Sequence, residues 1–387
     1  MNGLSPFFAV IIYLIAFITG YLINLKYKVT TTNTRYETID GFRGFLALGV
    51  FIYHASMWKQ YIQIGKWDPP QSNFYCQFGG TSVAFFFMIT SFLFISKLIN
   101  STEKGFNWRA FFISRIFRIM PMYYFSVFII ILLVMINSHW ELKESMVDFL
   151  KSIFNWVIFT IHRSARINNY NLTLNINAGV QWSLPLEWLF YFSLPLISLF
   201  ILKRKPSGIY LLISVLFIFG YFLIQPNNIY HNVISFMSGA IAPFILKYAP
   251  KIKVNNFLGS VVLLACLILI GGVRIDSDLI YKLLVALIFT LIALGNTLFG
   301  VLKNSTLKLL GEICYSTYLL HGIILFTVLY VGFGMEKLKP FTSLEYWCLI
   351  FLITPLVVII SFLGYKFIEK PFMDKAKKIN ESLNSNK

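Results

Sequence analysis

The sequence predicts an all-α fold, a polytopic membrane bundle of about eleven transmembrane helices. Composition is the first reason: 57% of the 387 residues are hydrophobic and only 13% are charged, whereas soluble domains carry about 25% charged residues. The second reason is that the apolar residues are gathered into runs long enough to cross a bilayer. The third is that most basic residues lie between these runs.

Eleven apolar runs follow one another along the chain, and each is a predicted transmembrane span. A further run, Phe149–His162, is shorter and is interrupted by Lys151 and Asn155. The predicted spans are Pro6–Leu25, Gly41–Trp58, Gly79–Ile99, Ser114–Ile136, Trp182–Leu202, Gly208–Ile224, His231–Leu246, Phe257–Val273, Leu279–Gly300, Leu309–Val331 and Leu344–Phe367.

The first run, Pro6–Leu25, has the length of a signal peptide without its flanking features. It lacks a basic region before it and a small-residue cleavage site after it, and Lys26 and Lys28 follow it. We therefore interpret it as a true span. Residues 1–30 are predicted to form an extra N-terminal transmembrane helix whose N-terminus lies outside.

The basic residues decide whether the short run Phe149–His162 crosses the membrane. If it does not cross, all basic connections fall on one side, as the positive-inside rule requires. We therefore expect a cytoplasmic C-terminus and a short run that lies in or dips into the outer interface. The formal net charge of +17 then reflects topology and anionic lipid rather than nucleic acid. The basic connections are Lys26/Lys28/Arg35, Lys97/Lys104/Arg109, Lys203/Arg204/Lys205, Lys247/Lys251/Lys253, Lys303/Lys308 and the Lys-rich tail.

Neither a disulfide framework nor a metal site is expected. The four cysteines form no CxxC pair, and the five histidines show no spacing typical of paired ligands. The cysteines are Cys76, Cys266, Cys314 and Cys348.

Arg43 and His54 make the run after Asp40 a candidate site. They are eleven residues apart, which at about 100° per residue places both on one helix face. The same spacing is a rise of about 16.5 Å, roughly half the hydrocarbon core. Ionisable groups at that depth are costly and normally face a cavity or a partner.

Arg115 and Arg118 begin a span on the inner side and share a helix face. A fork of guanidinium groups at a membrane surface suits a polyphosphate, because bidentate hydrogen bonds add to charge. The alternative is a lipid-facing anchor of the positive-inside kind. Arg43, at the same predicted depth, favours convergence of three arginines on one anion.

Glu187 lies five residues past Trp182, about 7.5 Å inward from the outer side. An acid at that position needs a polar cavity or a partner, so it either lines a chamber with His54 or forms a structural hydrogen bond. Tyr318 and His321 share one face of a later span. For them a functional role and a helix–helix hydrogen bond remain open alternatives.

The last predicted span ends at Glu369-Lys370-Pro371, which we interpret as a helix stop with an interfacial ion pair. Residues 374–387 are polar and are expected to be a short, disordered cytoplasmic tail.

Together these segments resemble the acyltransferase-3 family of integral membrane acyltransferases. Asp40-Gly-Phe-Arg43-Gly with His54 resembles its Arg-x10-His signature, and Arg115-Ile-Phe-Arg118 its Arg-x-x-Arg signature. Three further segments match in the same order: Trp182-Ser-Leu-Pro-Leu-Glu187 with Phe190-Tyr191, Tyr315-Ser-Thr-Tyr318-Leu-Leu-His321, and Glu369-Lys370-Pro371. Where the family usually has Ser-Gly-Phe, this chain has Thr90-Ser91-Phe92.

The resemblance implies transfer of an acyl group, often acetyl, from cytoplasmic acyl-CoA to a hydroxyl of a cell-surface or lipid-linked glycan. Residues 31–373 would be the acyltransferase core, with no C-terminal hydrolase-like domain fused to it. Acyl-CoA is the expected donor substrate, and no permanently bound cofactor is expected. The implied roles are: His54 and Glu187 catalytic; Arg43, Arg115 and Arg118 binding the phosphates of CoA; Trp182, Tyr191, Tyr318 and His321 binding substrate.

Two other function classes remain open. A transporter or flippase for a polysaccharide intermediate would use the same polar chamber as a path, and a scaffold in a glycan-synthesis complex is the third reading. Consumption of labelled acetyl-CoA from the inner side distinguishes an enzyme from a transporter. Frequent Lys, Asn, Ile and Phe residues favour a bacterial source, and hence the bacterial cytoplasmic membrane. Membrane lipids, and a homo-oligomer or glycan-synthesis complex, are the expected partners.

The topology predicts that a reporter fused after Lys205 lies in the cytoplasm, because the short run before it does not cross. A reporter protein that is active only in the cytoplasm, fused after Lys205, checks this. The same reporter fused after Asn137, on the predicted outer side, is the control. An extracytoplasmic reporter at residue 205 would contradict the predicted orientation.

Overall fold

A computed structural model describes residues 4–27, 36–103, 105–160, 166–224, 230–249 and 254–385. Within these ranges every regular element is helical, which confirms the all-α prediction. Some residues used in the topology argument lie outside the described residues: Lys28, Arg35, Lys104, His162, Lys251 and Lys253.

The described ranges contain seventeen α-helices, joined in places by π-helical and 3-10 turns. Two π-helical segments, Phe326–Phe333 and Tyr365–Glu369, continue longer helices. The α-helices are α1 Pro6–Tyr27, α2 Glu37–Ile64, α3 Asn73–Gln77, α4 Gly80–Asn100, α5 Trp108–Asn137, α6 Met146–Val157, α7 Thr173–Ile176, α8 Ser183–Ile201, α9 Gly208–Ile224, α10 Tyr230–Tyr248, α11 Asn256–Gly272, α12 Asp278–Ala293, α13 Ser305–Glu312, α14 Cys314–Leu325, α15 Met335–Leu338, α16 Ser343–Gly364 and α17 Lys370–Ser385.

Six helical stretches in the described residues are long and apolar enough to cross a membrane, as expected of a membrane protein. Helices α9 and α11 are apolar but shorter. A helix lies at each of the eleven predicted positions. Only some of these helices are both long enough and apolar enough to cross a membrane, so the count of eleven spans stays a prediction. The six are Pro6–Tyr27, Asn73–Asn100, Trp108–Asn137, Val180–Ile201, Cys314–Phe333 and Ser343–Leu383.

The chain divides into two compact units. The first comprises Met1–Leu93 and Asn232–Phe362, and the second comprises Phe94–His231 and Leu363–Lys387. His54 and His321 belong to the first unit, whereas Arg115, Arg118 and Glu187 belong to the second.

Helix α2 is central to the first unit, where α1, α12, α13 and α14 contact it. Glycines allow the closest approach: a Cβ atom on Gly41 would lie 2.0 Å from the carbonyl oxygen of Leu302, and one on Gly311 would lie 1.9 Å from that of Asp40. Small residues let membrane helices pack backbone to backbone in this way. This packing fixes α2 against the chain that leads directly into α14.

An ion pair joins the same helices near their ends. Lys308 on α13 donates to Glu37 Oε1 on α2 at 2.8 Å, and this hydrogen bond lowers the pKa of the Glu37 carboxyl. Beside it, a buried apolar cluster joins α2, α4, α10, α11 and α12. Its members are Ile39, Phe42, Leu46, Phe85, Met88, Ile89, Phe92, Ala242, Leu263, Cys266, Ile270, Val285, Ile288, Phe289, Ile292, Ala293 and Leu302.

In the second unit, an aromatic trio joins the end of α4 to α5 and α8. The ring centroids of Phe94, Phe111 and Tyr191 lie 5.2 to 5.7 Å apart, all edge to face. This is the favourable geometry for aromatic pairs. Helix α17 packs along α5 on the same unit, so the start of α5 is held between the aromatic trio and α17.

The expectation of a helix stop at Glu369-Lys370-Pro371 and a disordered tail is wrong for the described residues. The helix continues through the π-helical segment Tyr365–Glu369 into α17, which ends at Ser385. Pro371 is the second residue after this widened turn, where the hydrogen-bond register changes. Ala376 is buried at 3% exposure, so contact with α5 stabilises a helix that its polar composition alone disfavours.

The short run before residue 162 forms α6, twelve residues long. At about 1.5 Å per residue it is too short to cross a hydrocarbon core. Several of its apolar side chains are exposed, among them Val147, Leu150 and Phe154. Its position at the outer interface stays a prediction.

Replacing Gly41 with Val is expected to destabilise the protein, because the new side chain must displace the backbone of Leu302. Overpacking of this kind costs about 1–3 kcal/mol. The thermal unfolding midpoint in detergent measures it. Gly220→Val is the matched control, since no atom outside the adjacent backbone of its own helix lies within 4 Å of its Cβ position. Equal midpoints for both variants would contradict the proposed contact.

Candidate functional site

The first unit brings together two histidines from distant parts of the chain. His54 on α2 and His321 on α14 are both buried, and Nδ1 of His54 lies 3.0 Å from Nε2 of His321. Nδ1 of His321 lies 2.9 Å from the carbonyl oxygen of Thr317, one turn earlier on α14. The three groups therefore form a chain of hydrogen bonds.

The carbonyl of Thr317 determines which ring nitrogens of His321 and His54 carry protons. A carbonyl oxygen only accepts, so Nδ1 of a neutral His321 carries the proton and Nε2 holds a lone pair. Nδ1 of His54 then donates to that lone pair, which leaves Nε2 of His54 unprotonated. This tautomer assignment follows from the hydrogen-bond network. The sequence singled out His321 but gave no sign of the role of Thr317, because the backbone carbonyl of Thr317 forms the contact rather than its side chain.

Arg43 and Tyr318 lie on the same two helices as the histidine pair, and only Tyr318 lies next to it. The half-buried Arg43 places Nη1 3.8 Å from Oδ1 of Asp40, one turn earlier on α2. Tyr318 is buried, with its ring centroid 6.3 Å from those of His321 and Phe86. Arg43 lies in the first unit, so its predicted convergence with Arg115 and Arg118 stays a prediction.

In the second unit, Glu187 has a partner within its own helix. The Tyr191 hydroxyl donates to Oε1 of Glu187 across one turn of α8. The guanidinium carbon of Arg115 lies 4.9 Å from the ring centre of Phe94 and 6.0 Å from that of Tyr191. These cation–π contacts hold Arg115 beside the Glu187–Tyr191 pair.

Arg118 is paired with an acid from the segment that precedes α17. Its Nη1 lies 3.1 Å from Oε1 of Glu369, whose side chain is fully buried, and 2.9 Å from the sulfur of Met373. The sequence predicted an ion pair for Glu369 only as an interfacial feature. Removing one member of such a buried pair leaves an uncompensated charge.

A pocket of about 310 Å³ lies between α5 and α17. This is at the lower end of the size range of small-molecule sites. The sequence identified its two arginines but missed the residues from α17, all of which except Met373 lie in the segment expected to be disordered. The pocket is lined by Ser114, Arg115, Arg118, Met373, Ala376, Lys377, Asn380 and Glu381.

Trp182 lies at the start of α8, in the 3-10 turn Val180–Trp182. Trp182 is 46% exposed, whereas Trp188, one turn into α8, is buried. An exposed indole can contact a ligand, but its predicted role in binding substrate stays a prediction.

The family model for the acyltransferase domain (acyltransferase-3) matches residues 36–366. The chain belongs to the acyltransferase-3 family. The matched region contains both histidines of the pair, the arginines and Glu187. It does not contain α17.

Individual relatives of this acyltransferase-3 chain are distant. It is 26% identical over 318 residues to a protein of Acidianus two-tailed virus named "Putative acetyltransferase", covering 76% of this chain and 86% of that protein. It is 25% identical over 375 residues to a Staphylococcus aureus (strain COL) protein named "Putative O-acetyltransferase". That match covers 86% of this chain but 56% of the relative, so the chain spans little more than half the staphylococcal protein's length. No solved structure matches the chain significantly.

Replacing Glu369 with Ala is expected to lower stability, because the largely buried Arg118 then loses the carboxylate that compensates its charge. The cost of breaking a buried pair is about 3–5 kcal/mol. Thermal unfolding in detergent measures it, with the exposed Glu381→Ala as the control. A midpoint for Glu369→Ala equal to that of the control would show that the pair contributes nothing.

Proposed function

We propose that this chain is a membrane O-acyltransferase. It moves an acyl group, with acetyl as the first candidate, from cytoplasmic acyl-CoA to a hydroxyl of a cell-surface or lipid-linked glycan. The observation that carries the proposal is the His54–His321–Thr317 chain, which leaves a lone pair on Nε2 of a buried histidine. Family membership and the names of two relatives support it.

In the proposed reaction His54 acts as general base. Its Nε2 takes the proton of the acceptor hydroxyl as that oxygen attacks the thioester carbonyl. A C–O bond forms, the C–S bond breaks, and the thiolate of CoA takes the proton back from His54. The products are the ester and free CoA. His321 holds His54 in the required tautomer, the role that a hydrogen-bonded orienting group has in other base-catalysed acyl transfers.

Arginine side chains are proposed to bind the acyl-CoA donor. Guanidinium groups suit the phosphates of CoA because they combine charge with fork-shaped hydrogen bonding. Arg118 is already paired with Glu369, whereas Nε of Arg115 is buried without a hydrogen-bond partner among the described residues. Arg115 is therefore the stronger candidate for direct contact, with Arg118 and Arg43 adding positive charge.

For the acceptor sugar we propose contacts within each unit separately. Trp182 offers an exposed aromatic face, and Glu187 offers a carboxylate already oriented by Tyr191. Tyr318 lies next to His321 and would contact the acceptor close to the base. The proposed setting is the bacterial cytoplasmic membrane, with the N-terminus outside and the C-terminus inside, as a homo-oligomer or within a glycan-synthesis complex.

Replacing His54 with Ala is expected to reduce acyl transfer at least about 100-fold, the usual contribution of a general base. His321→Ala should give a smaller loss, because the base remains but loses its hydrogen-bond partner on α14. Consumption of labelled acetyl-CoA by purified protein in vesicles, supplied on the inner side, measures both. His139→Ala is the control, since this histidine is exposed.

Two results would contradict the proposal. Wild-type consumption of acetyl-CoA that persists in His54→Ala would remove His54 from the mechanism. Movement of a saccharide across the vesicle membrane, with no consumption of acetyl-CoA by the wild type, would favour the transporter.

A further inference from the structure

Helix α17 adds groups to the arginine pocket from outside the region that the family model matches. That region ends at residue 366, and α17 begins at Lys370. Lys377, Asn380 and Glu381 of α17 nevertheless line the same pocket as Arg115 and Arg118. These residues are a feature of this chain that the family match does not account for.

The charges in the pocket favour an anion. Arg115, Arg118 and Lys377 are cationic, and Glu381 is the one acid among the residues that line it. Glu369 compensates Arg118 through the buried ion pair. Among the residues that line the pocket, Arg115 and Lys377 face only the Glu381 carboxylate, while the Glu187–Tyr191 pair lies beside Arg115 without lining the pocket. Nε of Arg115 is nevertheless buried without a hydrogen-bond partner in the described part of the chain. A buried donor of this kind normally has a partner.

Asn380 adds a hydrogen-bond acceptor to the pocket, whereas the cationic side chains are donors. Its Nδ2 donates to the carbonyl oxygen of Ala110 at 3.3 Å and to the Ser114 hydroxyl at 3.1 Å. Because a backbone carbonyl only accepts, the amide nitrogen must face it, which fixes the orientation of the side chain. Oδ1 of Asn380 is then the buried atom that lacks a partner among the described residues. It can accept a hydrogen bond from a ligand.

We propose that Lys377 and Asn380 complete, with Arg115, a site for an organic phosphate that carries a neighbouring hydroxyl or amine. The phosphate accepts from Arg115 and Lys377, and the neighbouring group donates to Asn380. Two sources present this chemistry: the ribose phosphate of CoA and the headgroup of an anionic glycerophospholipid. Assignment of the ligand to CoA rests on the proposed function, whereas the site itself does not.

Binding to purified full-length protein tests the site. The probes are free CoA, measured by calorimetry in neutral detergent, and phosphatidylglycerol, measured as a rise in the unfolding midpoint in nanodiscs relative to phosphatidylcholine. Lys377→Ala is expected to weaken binding of one of these probes about tenfold, the scale of one charge-assisted hydrogen bond. Lys377→Arg should restore it. Lys378→Ala is the matched control, because Lys378 is the next residue and does not line the pocket.

Each outcome has a defined meaning. A Lys377-dependent loss of CoA binding supports both the site and its assignment to the donor. A loss confined to phosphatidylglycerol supports the phosphate site and contradicts CoA as its ligand. If Lys377→Ala matches Lys378→Ala with both probes, the inference is overturned, and wild-type binding of CoA would then leave the proposed function standing.

Discussion

The backbone contact between α2 and the chain that leads into α14 is the constraint on which the candidate site depends. Gly41 and Gly311 allow carbonyl oxygens to occupy the space of a side chain, so the two segments approach more closely than larger residues permit. His54 and His321 are 267 residues apart in the chain and meet because of this approach. A shift between the two helices that lengthened the 3.0 Å contact beyond hydrogen-bond distance would separate the pair.

Desolvation explains why the ionisable groups occur in pairs. Charged or polar groups within a membrane protein are costly unless other groups satisfy them. His54 with His321, Arg118 with Glu369, and Glu187 with Tyr191 each meet this requirement. A pair also fixes geometry, since each partner limits the rotamers of the other. The stabilising contacts and the proposed chemistry therefore use the same residues.

Helix α17 shows that a polar segment can form an ordered helix when it packs against another helix. Its composition favours solvation, and the stability of a helix in a folded protein comes mostly from tertiary packing rather than from propensity. Contact with α5 and continuity with the segment containing Glu369 supply the stability that the local sequence lacks. The same contact forms the pocket that Arg115 and Arg118 share with Lys377 and Asn380.

The sequence by itself determined the helical class, the places of the apolar helices and the candidate residues, because hydrophobic runs, charge placement and short motifs are local signals. It suggested that Arg43 and His54 share a face, since helical periodicity fixes that. Only the tertiary structure decided that His54 pairs with His321 rather than standing alone, that Thr317 fixes the tautomer, and that Glu369 and α17 pack against Arg118. Those facts depend on which helices meet and at what distance, and no local pattern carries that information.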